Sequence, residues 1–339
     1  MIEPKKRRQS LSATSPFRLA PQIQAEGFRT VPNGRPGNER GNRMKRVLRS
    51  FVRFAVRRYP IYSGVMRLAN SRLLKFLTSE RDLVVTTLRS GPKIAIDLND
   101  YCARPIYYWG DYDPRITELC VSTLRPGDRM LDIGANYGEI ALAAAARVGP
   151  SGSVHAFEPN AAAAACLRRS VEMNQFHNLH VHEVALGEFD GFGELNGPIG
   201  NSGAASLIPS DNEAVGAELA DGQRISLGVV QVRAAGNYLQ SLNLPSLAVV
   251  KIDVEGMESV VIESIRECLA KYHPRLIAFE SHEDSKPFFE RAPVKILAQL
   301  GYTFAQVDIR GRAHAHVRTV PLLSNTDLRS GYDFIATLA

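Results

Sequence analysis

The chain has 339 residues, of which 45% are hydrophobic, so it can bury one large core and still carry an appendage. Residues 1–60 hold 15 Lys and Arg against three Glu, a net charge of +12, which leaves −6 for the rest. The acidic main body argues against a protein that binds nucleic acid with its whole surface.

The cysteines argue for a reducing compartment. Cys102, Cys120, Cys166 and Cys268 are widely spaced and form no C-x-x-C pair, which disfavours a disulfide scaffold or a structural zinc site. No stretch reaches 18 apolar residues, and no apolar segment with a cleavage site follows the first basic residues. We therefore expect a cytoplasmic protein with neither a spanning helix nor a secretory signal.

The N-terminal hundred residues divide into a tail and an extension. Residues 1–43 are polar and aperiodic, which predicts a disordered basic tail. From Met44, an alternative first residue to Met1, apolar residues recur at helical spacing as far as Pro60, with basic residues between them. This helix either docks on the protein's own core with its arginines in water, which we favour, or lies on an anionic membrane. A helix over residues 65–77 and a strand pair over 83–88 and 93–98 complete the extension, residues 44–100.

Residues 101–339 alternate between strand and helix patterns after a helix at 115–124. Strands are predicted at 129–133, 153–157, 179–184, 247–254 and 275–279, and helices at 139–147, 161–174, 258–272 and 293–300. Residues 187–222 are polar and glycine-rich, which predicts loops with short strands, and the runs 303–307 and 332–338 predict a closing strand pair. The pattern indicates an α/β fold with a doubly wound, mostly parallel sheet and an antiparallel terminal hairpin.

A glycine turn, D-I-G-A-N-Y-G at residues 132–138, joins the first of these strands to its helix. Gly134 and Gly138 let the backbone turn sharply and approach a ligand. Asp132 distinguishes the turn from a dinucleotide fingerprint, because a carboxylate would repel a pyrophosphate. It suits a cofactor that presents a cation, such as the amino group and sulfonium of S-adenosylmethionine.

Two further strand ends could complete a cofactor site, because ligands of such sheets lie beyond the carboxyl ends of the strands. Glu158 follows the second strand, 24 residues after Gly134, where an acid can accept hydrogen bonds from ribose hydroxyls. The small-residue turn Ala185-Leu186-Gly187 follows the third strand and can lie along an adenine ring.

Strands four and five end in acids. Lys251, Asp253 and Glu255 alternate with apolar residues and so share one face, where they serve either chemistry or a structural ion pair. His282 follows strand five and is the histidine best placed for proton transfer. Asp253, Glu255 and Glu280 are hard oxygen ligands, but their spacing does not specify a metal, and we predict none.

Four blocks together resemble the FkbM-type methyltransferases. They are D-I-G-A-N-Y-G at 132–138, A-F-E-P-N at 156–160, A-L-G at 185–187 and K-I-D-V-E-G-M-E at 251–258, and the similarity extends over about residues 110–339. The resemblance implies a class I, seven-stranded methyltransferase fold with S-adenosylmethionine as donor, and methylation of hydroxyl groups on polyketides, sugars or other glycan-like acceptors.

The resemblance also implies residue roles. Asp132, Gly134 and Asn136 would bind the methionine end of the cofactor, and Glu158 its ribose hydroxyls. Asp253 and Glu255 would face the methyl group and the acceptor, while Asp113 stands where the family usually has Glu. The expected cofactor-binding set also includes Ala135, Gly138, Pro159, Ala185 and Leu186.

The sequence thus predicts a methyltransferase acting on oxygen, with the acceptor hydroxyl in line with the departing sulfur. Asp253, Glu255 and His282, in that order, are the candidate catalytic bases. Two alternatives stay open. One is a nucleic-acid or protein methyltransferase, suggested by the basic arm although strand four lacks the N/D-P-P-Y/F motif of base methylation. The other is a non-catalytic, cofactor-binding scaffold.

Overall fold

The structure, a computed structural model, describes residues 39–58, 64–78, 83–207, 224–283, 285–308 and 317–338. Its helices are α1 (Glu39–Arg57), α2 (Val65–Ala69), α3 (Arg72–Leu77), α4 (Ala103–Trp109), α5 (Pro114–Thr123), α6 (Glu139–Val148), α7 (Ala161–Asn174), α8 (Ala235–Ser241), α9 (Glu258–Ser264), α10 (Arg266–Tyr272) and α11 (Ala292–Gln299). Its strands are β1 (Leu83–Thr87), β2 (Lys93–Asp97), β3 (Arg129–Ile133), β4 (Ser153–Phe157), β5 (Leu179–His182), β6 (Ala185–Gly187), β7 (Gly191–Pro198), β8 (Arg224–Ala234), β9 (Val249–Ile252), β10 (Leu276–Glu280), β11 (Tyr302–Val307), β12 (Thr319–Leu322) and β13 (Asp333–Leu338).

An eight-stranded sheet in the order β12-β11-β13-β10-β9-β3-β4-β5 forms the centre of the fold. The five strands from β10 to β5 are parallel, whereas β13 runs antiparallel between β10 and β11. This confirms the predicted mostly parallel sheet with an antiparallel closing pair. The strand β12 extends the edge beyond the seven strands that the resemblance implies.

Both faces of this sheet are buried, which makes the fold doubly wound. Met130 packs into a core formed with α4, α5, α6 and α7, while its neighbours Leu131 and Ile133 pack into a second core with α8 to α11. Successive side chains of a strand point to opposite faces, so a strand between two cores must be apolar at nearly every position. This explains the mostly apolar runs that identified these strands in the sequence.

Two helices predicted as continuous are each interrupted. Residues 65–77 form α2 and α3, because the Asn70 side chain donates to the Met66 carbonyl and Ser71 caps the next helix. Residues 258–272 form α9 and α10, with Ile265 between them fully buried. The spacing of apolar residues stays helical across such short breaks. The sequence pattern therefore predicts which face is packed but not where the helix is interrupted.

A second sheet, in the order β6-β8-β7, follows β5. The predicted short strands within residues 187–222 include β7, whereas the 11-residue strand β8 and the helix α8 were not predicted. Residues 208–223 lie outside the described part. Residues 196–207 return from this sheet toward the glycine turn, where Ser202 bonds to Asn136.

The N-terminal extension packs directly on the main domain. The predicted strand pair is confirmed as the antiparallel hairpin β1–β2, which lies against α7. Residues 1–38 of the predicted tail and the helix-ending Pro60 lie outside the described residues, and α1 already begins at Glu39. None of the described helices is both long enough and apolar enough to cross a membrane.

The orientation of α1 corrects the expectation that its arginines face water. Arg49 is 7% exposed, and its guanidinium and that of Arg53 lie 5.4 and 5.1 Å from the ring centre of Tyr107. Arg53 and Arg57 also donate to the Thr86 hydroxyl at 3.2 and 3.0 Å. A guanidinium stacks on an aromatic face and keeps hydrogen bonds when half-buried, so arginine can form a docking face.

Candidate functional site

A cavity of about 340 Å³ opens at the carboxyl ends of β3, β4, β9 and β10. Most of the residues predicted from the sequence line it: Asp132, Gly134, Ala135, Asn136, Glu158, Pro159, Ala185, Leu186, Asp253 and Glu255. Two do not belong to its described lining: Gly138 lies beneath the turn, against Leu167, and His282 lies behind Glu280. A volume of this size suits a small-molecule ligand.

The turn after β3 is held in a shape that only certain residues permit. Gly134, Asn136 and Gly138 have φ angles of +79°, +49° and +84°. A Cβ on Gly134 would lie 1.7 Å from the Asp253 carbonyl oxygen, so the glycine lets two neighbouring strand ends meet. The amides of Gly134 and Ala135 both donate to the Phe157 carbonyl at 3.0 Å, which ties the turn to the end of β4.

The Glu158 side chain holds the glycine turn through hydrogen bonds to backbone amides. One carboxylate oxygen accepts from the Asn136 amide at 2.7 Å and the other from the Asn160 amide at 2.8 Å. The residue is 7% exposed, and burial raises the pKa of its carboxyl to about 7 in spite of these two bonds. Each oxygen keeps a second acceptor position, so the carboxylate can also receive a ligand hydroxyl.

Lys251 and Asp132 form a buried pair at the floor of the cavity. The Lys251 ammonium donates to the Gly134 carbonyl at 2.6 Å and lies 3.5 Å from Asp132 and 3.2 Å from Asp253. Burial alone would lower the Lys251 pKa, but the carboxylates of Asp253 and Asp132 outweigh it and the pKa is raised. The structural ion pair considered for Lys251 therefore forms with Asp253, and Lys251 also supports the turn.

Asp132 keeps unused acceptor capacity. Its side chain is 1% exposed, and neither oxygen accepts a hydrogen bond of good geometry from a described residue. Burial raises the pKa of its carboxyl, and Lys251 opposes that shift. A buried carboxylate in this state favours a cationic or hydrogen-donating group nearby.

The loop after β9 presents Asp253 and Glu255 to the cavity. Glu255 adopts a left-handed φ of +52°, and burial together with the nearby Asp253 raises the pKa of its carboxyl to about 8. Glu258 shapes the loop by accepting hydrogen bonds from the Val254 and Gly256 amides. Of the acids considered as metal ligands, Asp253 and Glu280 do converge, but the third member within 4.8 Å is Glu258 rather than Glu255.

His282 and Glu280 form an ion pair at the rim. The His282 Nε2 atom lies 3.0 Å from a Glu280 oxygen, and the centres of the imidazole and the Tyr332 ring are 4.4 Å apart, with the rings tilted by 39°. The bond to Glu280 raises the pKa of His282 to about 9, while burial raises that of Glu280 to about 7. At neutral pH the imidazole is therefore protonated, which is the wrong state for accepting a proton.

Two acids at the cavity, Asp113 and Asp333, were not among the site residues predicted from the sequence. Asp113, which stands where the family usually has Glu, caps α5 by accepting hydrogen bonds from the Arg115 and Ile116 amides and also lines the cavity. Asp333 pairs in register with Glu280 and was missed, although an antiparallel neighbour of β10 must begin where the parallel strands end. Ser202 and Ser206 reach the cavity from the segment after β7, for which the sequence held no signal.

The cavity is strongly acidic. Eight acids line it against two basic residues, Arg115 and Lys251. The acids are Asp113, Asp132, Glu139, Glu158, Asp253, Glu255, Glu280 and Asp333. Burial raises the pKa of most of these carboxyls, so only part of the set is ionised at neutral pH. Carboxyls still outnumber the two basic groups, which disfavours a phosphate-bearing ligand such as a dinucleotide or a nucleic-acid backbone.

Comparison with known proteins gives one family match. The family model described as "Methyltransferase FkbM domain" matches residues 132–318, just over half of the chain. No curated protein matches it.

Several solved structures are similar at low sequence identity. The methyltransferase FkbM from Methylobacillus flagellatus KT is 14% identical, with 70% of this chain and 53% of that chain covered and a TM-score of 0.37. The O-methyltransferase TomG from Streptomyces achromogenes, involved in tomaymycin synthesis and solved with S-adenosylmethionine, is 12% identical (86% and 96% covered, TM-score 0.36). A precorrin-6y C5,15-methyltransferase from Geobacter metallireducens GS-15 is 15% identical (66% and 87% covered, TM-score 0.34).

Proposed function

The chain belongs to the methyltransferase FkbM domain family and has the class I methyltransferase fold, and on that premise we propose that it methylates a hydroxyl group of a sugar, glycan or polyketide-like small molecule. Its methyl donor is S-adenosylmethionine. The observation that carries the proposal is the cavity at the strand ends, where Glu158, anchored by two backbone amides, and the buried Asp132, which is paired with Lys251 and has acceptor capacity to spare, lie on either side of the glycine turn.

The residues present fit this donor. Asp132 offers a buried carboxylate with free acceptor capacity, which suits the cationic methionine end. Glu158 is fixed by two backbone bonds and can accept hydrogen bonds from the ribose hydroxyls. Ala185 and Leu186 add a small apolar wall where a flat ring can pack. When bound, S-adenosylmethionine supplies an electrophilic methyl group.

Among the three candidate bases, the geometry favours Asp253. Glu255, with a pKa of about 8, is mostly protonated at neutral pH, and His282, with a pKa of about 9, carries its proton already. Asp253 lies 3.2 Å from the Lys251 ammonium, and its side chain is 37% exposed toward the cavity. We therefore assign proton acceptance from the acceptor hydroxyl to Asp253, with Lys251 orienting the carboxylate.

The charge of the cavity supports an acceptor that is neutral or cationic. Carboxyl groups outnumber basic groups there by eight to two, and even with Glu255 mostly protonated the remaining carboxylates would oppose a phosphodiester at the reacting position, which disfavours nucleic acid. A polyol accepts and donates hydrogen bonds with such carboxylates at no electrostatic cost, so a sugar or polyketide hydroxyl suits the site.

Calorimetric titration with S-adenosylmethionine and S-adenosylhomocysteine, followed by turnover assays on a panel of sugar and polyketide hydroxyl acceptors, tests the proposal. We expect Glu158→Ala to weaken binding of both ligands at least about tenfold, because at least one charge-assisted hydrogen bond is lost. Glu188→Ala, at an exposed position outside the cavity, is the matched control.

Asp253→Asn separates chemistry from binding in the same assays. We expect donor affinity to stay within a few-fold of wild type while turnover of the best acceptor falls by about 10²-fold or more. Full turnover in Asp253→Asn would remove this residue as the base. Absence of donor binding in the wild-type protein would instead favour the non-catalytic scaffold.

A further inference from the structure

The helix α1 is amphipathic in an unusual sense, because three of its arginines contact the protein while most of its large apolar residues are exposed to solvent. Arg49, Arg53 and Arg57 lie against Tyr107, Thr86 and backbone carbonyls of α4. Val52 and Val56 pack beside them against the core. Once these residues have docked the helix, the face opposite them is exposed to solvent.

That outer face is a continuous apolar stripe. Exposed fractions along it are 72% for Met44, 66% for Val47, 45% for Leu48, 68% for Phe51 and 59% for Phe54. The spacing of three to four residues places them on one side of the helix. Side chains of this size are ordinarily buried, and a contiguous exposed set marks an interaction surface.

The stripe continues onto α2 and α3. Leu68, Leu73 and Phe76 are 53%, 65% and 59% exposed. The Lys45 ammonium lies 4.4 Å from the Phe76 ring centre, which places the start of α1 directly beside α3. We call these eight exposed residues of α1, α2 and α3 the apolar stripe.

The charge around the apolar stripe has one sign. Residues 44–78 contain nine Lys and Arg and no Asp or Glu. Arg58, Arg67, Arg72 and Lys75 are exposed next to stripe residues. Apolar side chains flanked by cations without any acid are complementary to an anionic lipid surface, where the chains enter the interface and the cations meet the headgroups.

We propose that α1, α2 and α3 form a docking surface for an anionic lipid bilayer, on which the protein lies as a peripheral protein. The surface adjoins the catalytic cavity, since Met66 of α2 lines that cavity two residues before the exposed Leu68. Docking would therefore bring the cavity close to the lipid headgroups. This inference does not depend on the proposed reaction.

Vesicle flotation with the full-length protein tests the inference. Vesicles of phosphatidylcholine alone are compared with vesicles containing about one third phosphatidylglycerol, at low and high salt. We expect binding to the anionic vesicles only, weakened by salt, and reduced at least about tenfold in the double variant Phe51→Asn/Phe54→Asn. Arg67→Gln/Lys75→Gln should reduce binding to anionic vesicles and leave a smaller salt dependence.

Matched control variants distinguish binding through the apolar stripe from nonspecific adsorption to vesicles. Leu323→Asn removes an apolar side chain that is 89% exposed elsewhere, and Lys295→Gln removes an exposed cation on α11; both should bind like wild type. Thermal melting and S-adenosylhomocysteine titration of each variant show that the fold is retained. Absence of binding to anionic vesicles, or equal binding by the Phe51/Phe54 variant, overturns the proposal. So does a dimer that the same variant converts to monomer, because the stripe would then join two copies of the chain.

Discussion

At the scale of single residues, the site depends on positions where the backbone leaves no room for a side chain. Gly134 combines a φ of +79° with a Cβ position 1.7 Å from the Asp253 carbonyl, so strand ends β3 and β9 can meet only through a glycine. The sequence identified this residue as a turn glycine that approaches a ligand. The structure adds that its closest neighbour is the protein's own backbone, which no local pattern reveals.

Gly134→Ala should therefore lower the free energy of unfolding by at least about 3 kcal/mol, as strain and a backbone clash act together. Gly64→Ala is the matched control, with a φ of +83° and no atom of the residues that the structure describes within 4 Å of the added carbon. It should cost only about 1–2 kcal/mol, the conformational part alone. Urea unfolding of both variants measures the difference. Equal losses would mean that the contact with Asp253 relaxes freely.

At the scale of elements, the best-predicted segments are those with a strong local signal. The bounds of β3, β4 and α7 match the sequence-based expectation, because apolar runs end at glycine or proline and Asn160 caps α7. The strand β8 and helix α8 were missed because half-exposed strands carry weak patterns. The predicted orientation of α1 was wrong. The sequence alone cannot distinguish a helix face whose arginines are in water from one whose arginines pack on an aromatic ring elsewhere in the chain.

Side chains of α7 also complete the hairpin β1–β2. The Ser170 hydroxyl accepts a hydrogen bond from the Ala95 amide at 2.8 Å. The Asn174 side chain accepts a hydrogen bond from the Lys93 amide and donates one to the Lys93 carbonyl. A free strand edge is ordinarily a liability, since its amides lack partners. Here the helix supplies those partners, so the hairpin needs no third strand.

Ser170→Ala should destabilise the protein by about 1–3 kcal/mol, because the buried Ala95 amide loses its acceptor. Ser122→Ala removes an exposed hydroxyl on α5 and should cost well under 1 kcal/mol. Urea unfolding gives the free energies, and amide hydrogen exchange should quicken in residues 93–97 of Ser170→Ala alone. Unchanged exchange there would show that Ser170 does not hold the hairpin.

At the scale of the whole molecule, the histidines of β4 and β5 link stability to pH. His155 is 8% exposed, stacks on His180 and His182, and its Nδ1 atom lies 3.1 Å from Nε2 of His182. Burial, reinforced by the two neighbouring imidazoles, lowers the pKa of His155 to about 3. Burial likewise lowers the pKa of His182 to about 4. Both rings are therefore neutral in the folded protein.

The unfolded chain binds these protons near pH 6.5, so the stabilisation is complete above that pH and is lost as the pH falls toward the folded values. Between pH 6 and 5, we expect the free energy of unfolding to fall less steeply in His155→Gln than in wild type, by about 1 kcal/mol per pH unit. His177→Gln, at an exposed position, should follow the wild-type curve. Denaturant titrations across this range measure the slopes. Parallel curves for wild type and His155→Gln would contradict the assignment.

The Lys251 ammonium bonds to the Gly134 carbonyl, a residue 117 positions earlier in the chain. The contact from Ser202 to Asp100 likewise spans 102 residues. Contacts between residues so far apart in sequence form late in folding, because the entropy of closing a long loop is lost before the contact can stabilise the chain. In a refolding experiment, we therefore expect donor binding to recover after most of the helical structure has formed. Recovery of binding would then mark the end of folding.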